Sequence, residues 1–262
     1  MGFSADWLAL REPADRAARD RSLARRACKA AGTEPVVLDL GCGTGATWRA
    51  LSPLLPDGAR WILVDTDPTL LAAAAAAAGD GVRAIETDIA DLSALPLEDV
   101  TLVTASALLD LVPGTWVEEL AQRLKVPFYA ALSYSGVMRW APADPRDDTI
   151  TGFFNRHQRG DKGLGPALGP EAAEHAAKAF TAAGFATHLA DSPWQLGPVM
   201  APLQCELTDG IAAAAAEAGA AGATAWGRDR RELAPRSNCM IGHTDILALP
   251  RRSAARKPDD AR

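Results

Sequence analysis

The chain has 262 residues, of which 48% are hydrophobic, so it is long enough to bury a sizeable core as one large domain or two small ones. Its formal net charge of −6 argues against a dedicated nucleic-acid-binding protein, because such proteins carry a basic face. We therefore expect a small-molecule partner.

The cysteine pattern bears on cellular location. Four cysteines, at positions 28, 42, 205 and 239, are too scattered for a zinc site or a redox CxxC pair, so no metal is predicted. Such cysteines are typical of a reducing compartment. The first six residues lack the basic and apolar blocks of a signal peptide, and no apolar run approaches membrane-spanning length. We expect a cytoplasmic protein without a membrane segment.

The first predicted elements precede the core fold. Residues 4–31 place apolar side chains among many arginines, which indicates one or two amphipathic helices. Most of these arginines are expected to form a solvated face.

The central motif of the chain is VVLDLGCGTG, residues 36–45. Its apolar run predicts a short buried strand, and glycines 41, 43 and 45 allow a sharp turn that approaches a ligand with no Cβ in the way. Residues 46–55 then predict a helix. The loop amides and the helix N-terminus converge on a crevice at the carboxyl end of the strand, which predicts a nucleotide-like ligand.

Two ligand classes compete for this loop. Gly41, Gly43 and Ala46 satisfy the dinucleotide pattern G-x-G-x-x-G/A, which is a weak match by itself. Asp39 argues against a dinucleotide, because a carboxylate two residues before the first glycine would repel a pyrophosphate on those amides. S-adenosylmethionine carries a sulfonium and an ammonium group and no phosphate, so the same acid would favour it.

The stretch from Asp39 to Gly45 resembles the glycine loop of the class I S-adenosylmethionine-dependent methyltransferases, which reads acid-x-Gly-x-Gly-x-Gly. The resemblance implies S-adenosylmethionine as the cofactor. Leading helices in this family often close over the cofactor, which makes Trp7, Arg11 and Arg19 candidate lid residues.

Acidic residues follow the next two predicted strands. Residues 61–65 are apolar without alternation, as in a parallel strand covered on both faces, and Asp65 at its end can accept hydrogen bonds from both ribose hydroxyls. Thr66 or Asp67 is expected to cap the following helix. After a third strand at 82–87, the resemblance implies that Asp88 faces the adenine amino group and that Ile89 packs on the ring. The alternative for Asp88 is a helix cap.

A fourth strand is predicted at residues 99–104, next to the first, so the residues after it should flank the methionine arm and the methyl group. The predicted cofactor-binding residues are Asp39, Gly41, Cys42, Gly43, Thr44, Gly45, Asp65, Thr66, Asp88, Ile89, Ser106 and Ala107. Asp39, Asp65 and Asp88 are expected to line one trough.

The segment after the predicted fifth strand, residues 126–134, has little periodicity from 135 to 170 and predicts a lid or binding element. Its aromatic and charged residues suit an anionic substrate with an apolar body, although a solvated charged face is the alternative. The predicted substrate-binding residues are Trp140, Phe154, Arg156, His157 and Arg159. His157 is the first candidate for a general base, ahead of His243 and Asp110.

The remaining pattern predicts helices at 169–184 and 199–221, strands at 185–189 and 238–249, and a disordered basic tail over 251–262. The predicted fold is α/β, a doubly wound seven-stranded mixed sheet of the Rossmann-like methyltransferase type. We expect an N-terminal helical lid over residues 1–32 and a methyltransferase domain over 33–250, with the lid insertion 135–170 after the fifth strand.

The predicted activity is methyl transfer from S-adenosylmethionine to oxygen or nitrogen of a small acceptor, which can be anionic. The alternatives are an RNA methyltransferase, a non-catalytic S-adenosylmethionine-binding protein and an NAD-dependent oxidoreductase that uses Asp65 on the ribose. The oxidoreductase leaves Asp39 and Asp88 unexplained. The sequence predicts no oligomeric state.

Overall fold

A computed structural model of the chain describes residues 3–251, so the predicted tail lies outside the described residues apart from Arg251. Two helices, α1 (Ala5–Ala18) and α2 (Arg21–Ala30), precede the first strand, as the sequence predicts. Ser4 and Asp20 cap them, each accepting a hydrogen bond from a backbone amide of the first turn.

The first half of the sheet alternates strands and helices. Its elements are β1 (Val36–Leu40), α3 (Ala46–Leu51), β2 (Arg60–Asp65), α4 (Pro68–Ala78), β3 (Val82–Glu86), β4 (Leu102–Ser106), α5 (Gly114–Arg123) and β5 (Phe128–Ala141). These strands are parallel, in the order β3-β2-β1-β4-β5. All five residues of β1 are buried because helices cover both faces of the sheet, which explains the unbroken apolar run around Asp39.

The second half of the chain adds a strand that runs opposite to its neighbours in the sheet. Its elements are α6 (Asp147–Gln158), α7 (Ala172–Ala182), β6 (Phe185–Asp191), β7 (Trp194–Leu196), α8 (Ala201–Glu217), α9 (Ala223–Leu233) and β8 (Asn238–Pro250). Strand β8 lies antiparallel between β5 and β6, and the short β7 also pairs with β8. The predicted Rossmann-like mixed sheet is therefore confirmed, with β7 as an additional short strand.

The segment predicted to lack periodicity is more regular than the sequence indicates. Strand β5 continues to Ala141, because the first residues of β8 offer it a partner: Met138 pairs with Ile241 and Trp140 with Cys239. Residues 147–158 form α6, whose first residue, Asp147, forms a buried ion pair with Arg230 of α9. Long-range pairing extends β5, and such pairing leaves no local periodicity in the sequence.

The helix predicted at 199–221 is shorter in the structure. It ends at Glu217, and a separate helix, α9, begins at Ala223. Gly219 and Gly222 between them have φ angles of +95° and +77°, a left-handed conformation that ends a helix. Helices α6, α8 and α9 contribute, together with β5, β7 and β8, to a third hydrophobic cluster beyond the two that cover the faces of the sheet.

Candidate active site

The glycine loop turns sharply between β1 and α3. Gly41, Gly43 and Gly45 have φ angles of +65°, +53° and +85°, which side chains other than glycine rarely adopt. The amide of Cys42 donates to the carbonyl oxygen of Val64 at 2.9 Å, which holds the loop against the end of β2. The loop therefore lies at the carboxyl edge of the sheet, where ligands bind in open α/β folds.

Asp65, at the end of β2, is fixed by the backbone. Its Oδ2 accepts the amide of Gly43 at 2.8 Å, and its Oδ1 accepts the amide of Asp67 at 3.0 Å. Asp67 itself caps α4 by accepting the amides of Thr69 and Leu70, with Pro68 at the first helical position. Each Asp65 oxygen retains a lone pair, so the carboxylate can accept further hydrogen bonds in a fixed orientation.

A first cavity of about 220 Å³ opens between the glycine loop, the ends of β2 and β4, and helix α1. Nine of the predicted cofactor-binding residues line it: Gly41, Cys42, Gly43, Thr44, Asp65, Thr66, Ile89, Ser106 and Ala107. Its wall also carries the carboxylates of Asp15 and Asp67 and the guanidinium of Arg11. The wall is thus acidic, with three carboxylates and one cation.

Asp39 does not reach this cavity. It has no solvent exposure, and Thr104 on β4 donates to its Oδ1 at 2.9 Å. Burial raises the pKa of Asp39 to about 7, although the Thr104 hydrogen bond and the positive charge of Arg19 act to lower it. The expected trough of three carboxylates is therefore wrong for Asp39, because this side chain belongs to the interior of β1, upstream of the turn.

Asp88 and Gly45 also lie off the wall of the first cavity. Asp88 is exposed, and its Oδ1 accepts the amide of Ala90 at 2.9 Å in a turn, so it neither lines the cavity nor caps a helix, which was the stated alternative. Gly45 is the N-cap residue of α3 and faces Ala74, whose Cβ would lie 3.3 Å from an added side-chain carbon. Only Asp65 of the three predicted carboxylates lines the cavity, because Asp88 caps its own turn.

Helix α1 covers the glycine loop. A Cβ on Gly43 would lie 3.1 Å from Cδ1 of Leu8, so the helix packs directly on the loop. Glu12 accepts two hydrogen bonds from Arg49 of α3, at 2.7 and 2.6 Å, and Arg49 also donates to the carbonyl oxygen of Thr44 at 2.6 Å. This Glu12–Arg49 pair fastens α1 to the loop.

The three candidate lid residues differ in position. Trp7 and Arg11 lie on cavity walls. Arg19 is instead buried beneath the site, where it donates to Oγ of Ser106 at 3.2 Å and lies over the ring of Tyr129.

A second cavity of about 150 Å³ adjoins the first. The two share four wall residues, Phe3, Arg11, Ala107 and Leu111. The second cavity is largely apolar, and its wall includes the aromatic side chains Phe3, Trp7, Tyr134, Phe154 and Trp194. Such a lining suits a flat apolar ligand that lies against the first cavity.

Two titratable groups of the second cavity have strongly displaced pKa values. Burial raises the pKa of Asp110 to about 6, even though the positive charges of Arg11 and Lys162 act to lower it. Burial also lowers the pKa of His243 to about 3, and the charge of Arg11 contributes to this. At neutral pH the wall therefore carries a carboxylate and an uncharged imidazole.

Most of the predicted substrate-binding residues lie elsewhere. Phe154 lines the second cavity, whereas Trp140 is a core residue, packed edge to face on Trp226 at 5.5 Å. Arg156 lies over the Phe153 ring, and Arg159 pairs with Glu171 at the surface. Helix α6 is amphipathic, so Phe154 and Gln158, four residues apart, face inwards while its Arg156 is exposed.

The first candidate for a general base, His157, also lies off both cavity walls. Its Nε2 lies 3.0 Å from Oε2 of Glu217 on α8, and its Nδ1 lies 3.2 Å from Nζ of Lys162. The two candidates ranked after it, His243 and Asp110, both lie on the wall of the second cavity. Sequence position alone could not rank them, because His243 comes from the last strand and Asp110 from the turn after β4.

Several apolar wall residues were not predicted. They include Leu8, Leu108, Leu111, Met138, Trp194 and Ile241. Leu8 falls within residues 4–31, which were predicted to be amphipathic, but the others had no local signal, since apolar residues in strands and turns are ordinarily core.

Among residues 3–251, no group of three or more His, Cys, Asp and Glu side chains could hold a metal ion. No helix in this range combines the length and the apolar character needed to cross a membrane.

Comparisons with known proteins agree with this geometry. Residues 37–126 match a family model described as a methyltransferase domain. The YcgJ protein of Bacillus subtilis is 20% identical and has a TM-score of 0.54, over 88% of this chain and 99% of that one. A putative methyltransferase from Bacillus halodurans C-125 is 18% identical, with a TM-score of 0.51, over 87% and 97%. No curated protein matches this chain. At 18–20% identity, these two solved structures establish the fold alone.

Proposed function

We propose that the chain is a class I S-adenosylmethionine-dependent methyltransferase, because residues 37–126 match a methyltransferase-domain model and the fold agrees. We further propose that it methylates an oxygen or nitrogen atom of a small molecule bound in the second cavity. The cofactor supplies an electrophilic methyl group. The task of the protein is then to align the acceptor with that group and to exclude water.

The observation that carries this proposal is the shared wall of the two cavities. A cofactor against the glycine loop and an acceptor among the aromatic side chains would meet beside Ala107 and Leu111. Ala107 has a φ angle of +49°, which is strained for alanine, and such strain is concentrated at functional sites. Helix α1 contributes to both cavities and would cover the reacting atoms.

The first cavity favours this cofactor over a dinucleotide. Its wall carries the carboxylates of Asp15, Asp65 and Asp67 against the single guanidinium of Arg11. An excess of negative charge attracts the sulfonium and ammonium groups of S-adenosylmethionine and repels a pyrophosphate. We propose that Asp65 accepts the ribose hydroxyls and that Ile89 packs on the adenine ring.

Two other features bear on the alternatives. The second cavity is small and lies under α1, which suits a small acceptor better than an RNA nucleotide in a strand. All four cysteines are free thiols, as a reducing compartment requires, which supports the proposed cytoplasmic location.

The cofactor assignment is tested by titration calorimetry of the full chain with S-adenosylmethionine and with NAD. We expect binding of S-adenosylmethionine alone. Asp65→Asn should weaken it about 10- to 100-fold, because charge-assisted hydrogen bonds to the ribose become neutral ones. The exposed Asp80→Asn is the matched control and should bind normally. Binding of NAD, or equal affinities for both variants, would contradict the assignment.

The catalytic part is tested by release of S-adenosylhomocysteine in the presence of phenols, amines and carboxylic acids. Acceptor-dependent release is expected for a methyltransferase. A chain that binds S-adenosylmethionine and turns over no acceptor would be a binding protein.

A further inference from the structure

Three polar atoms of the second cavity's side chains lack partners. Nε1 of Trp7, Oδ1 of Asp110 and Nδ1 of His243 are buried and form no hydrogen bond of normal geometry with residues 3–251, although backbone groups of Tyr134 and Ile241 lie near Asp110 and His243. Buried polar atoms are nearly always hydrogen-bonded, so three unpaired ones around a single cavity indicate a ligand that supplies the partners. Trp7 offers a donor and Asp110 an acceptor, whereas the role of His243 depends on its tautomer.

The charges around this cavity disfavour an anionic ligand. Arg11 is the wall's cation, and it already forms an ion pair with Asp15 through contacts of 2.9 and 3.1 Å. Lys162 lies off the wall, within hydrogen-bond distance of His157. A carboxylate ligand would therefore add a second negative charge beside Asp110 without a free cation to balance it.

The apolar part of the wall favours a flat ring. Trp7, Tyr134, Phe154 and Trp194 come from α1, β5, α6 and β7, so aromatic surfaces approach the cavity from several sides. The hydroxyl of Tyr134 already donates to Oδ1 of Asn155 at 2.8 Å. This leaves Asp110 and His243 as the groups that can receive a proton from a ligand.

We propose that the second cavity binds an uncharged aromatic acceptor whose reacting oxygen or nitrogen carries a proton, and that Asp110 is the catalytic residue that accepts this proton. The assignment rests on the proposed methyltransferase function. The acceptor atom forms a bond to the methyl carbon while the carbon–sulfur bond breaks and sulfur keeps the electron pair. The acceptor's proton passes to the Asp110 carboxylate and then to solvent.

The surroundings of Asp110 set the expected pH dependence. The charges of Arg11 of α1 and Lys162 after α6 act on the pKa of its carboxyl, and Tyr134 of β5 and His243 of β8 line the same cavity. With its pKa near 6, Asp110 is a carboxylate at neutral pH and a neutral acid below about pH 6, whereas His243 stays uncharged throughout this range. Turnover should therefore rise as the pH increases through about 6.

Ligand class is tested by thermal unfolding of the full chain with S-adenosylhomocysteine and millimolar phenol, aniline or benzoate at pH 7.5. Phenol or aniline should raise the midpoint, and benzoate should not. Whether phenol or aniline raises the midpoint distinguishes an oxygen acceptor from a nitrogen acceptor. The proposed class is overturned if benzoate alone raises the midpoint or if neither neutral ring does.

The role of Asp110 is tested with Asp110→Asn, which preserves the size of the side chain, and with the exposed Asp80→Asn as the control. With an acceptor that is turned over, Asp110→Asn should lower kcat about 100-fold, remove the rise near pH 6 and leave the affinity for S-adenosylmethionine unchanged. A wild-type kcat and pH profile in a folded Asp110→Asn protein would overturn the role. If the wild-type chain did not bind S-adenosylmethionine at all, the methyltransferase function itself would be refuted.

Discussion

Asp39 should make the folded protein less stable as the pH rises. Burial of its carboxyl raises the pKa from 3.8 to about 7. Between these two values the folded chain holds a proton that the unfolded chain has released, so stability falls with increasing pH. The ionised carboxylate then costs the folded state about 4 kcal/mol above pH 7, at 1.36 kcal/mol for each pKa unit.

The variant Asp39→Asn removes this titration and keeps the shape of the side chain. Its amide oxygen can still accept the hydrogen bond from Thr104, which donates to Oδ1 of Asp39 at 2.9 Å. Any cost of the new NH₂ group is the same at every pH. The stability of the variant relative to wild type should therefore increase by about 3 kcal/mol between pH 5 and pH 8.

The assay is urea unfolding at pH 5 and pH 8 of wild type, Asp39→Asn and the exposed Asp80→Asn control. The difference between wild type and Asp39→Asn isolates Asp39 from the other titrating groups, including Asp110. An unchanged difference at the two pH values would refute the reasoning, since it would mean that Asp39 is ionised in the folded protein at pH 5.

Two further predictions concern the contact between α1 and the glycine loop. Gly43→Ala should lower stability by about 1–2 kcal/mol and weaken S-adenosylmethionine binding in calorimetry, because φ is +53° and the new Cβ would lie 3.1 Å from Leu8. Glu12→Gln should weaken that binding about threefold by loosening the ion pair with Arg49. The pKa of Glu12 is lowered mainly by its hydrogen bond to Arg49, so the pair stabilises the fold above about pH 4.5, and this stabilisation is lost as the pH falls through the lowered pKa.

Matched variants separate these effects from general damage. Gly58→Ala has a φ of +84° with open space around the added carbon, so it carries backbone strain alone and should leave cofactor binding unchanged. Glu119→Gln removes an exposed pair with Arg123 on α5 and should change neither stability nor binding measurably. Equal losses of binding in Gly43→Ala and Gly58→Ala would contradict the packing of α1 on the loop.

Local physical chemistry made the cofactor side of the site predictable. Gly41 and Gly43 predict a turn, because few other residues adopt a positive φ. Asp65 follows an unbroken apolar run, which indicates the carboxyl end of a buried parallel strand. The cap at Asp67 and the helix start at Pro68 likewise depend on neighbours within a few residues. The structure of these features depends on nearby residues, so the sequence alone was enough to predict it.

The second cavity, which we propose binds the acceptor, was decided by contacts between distant segments. Asp110, Trp194 and His243 line one cavity because β5 and β7 both pair with β8 and because α1 packs on β7, and none of these contacts leaves a period in the sequence. Composition marked residues 135–170 as a binding segment, but only the packing of α6 against α8 determined that Phe154 faces the cavity while Arg156 and His157 face away. Burial is a collective property of the folded chain, and it is also what displaces the pKa of Asp110 and of His243.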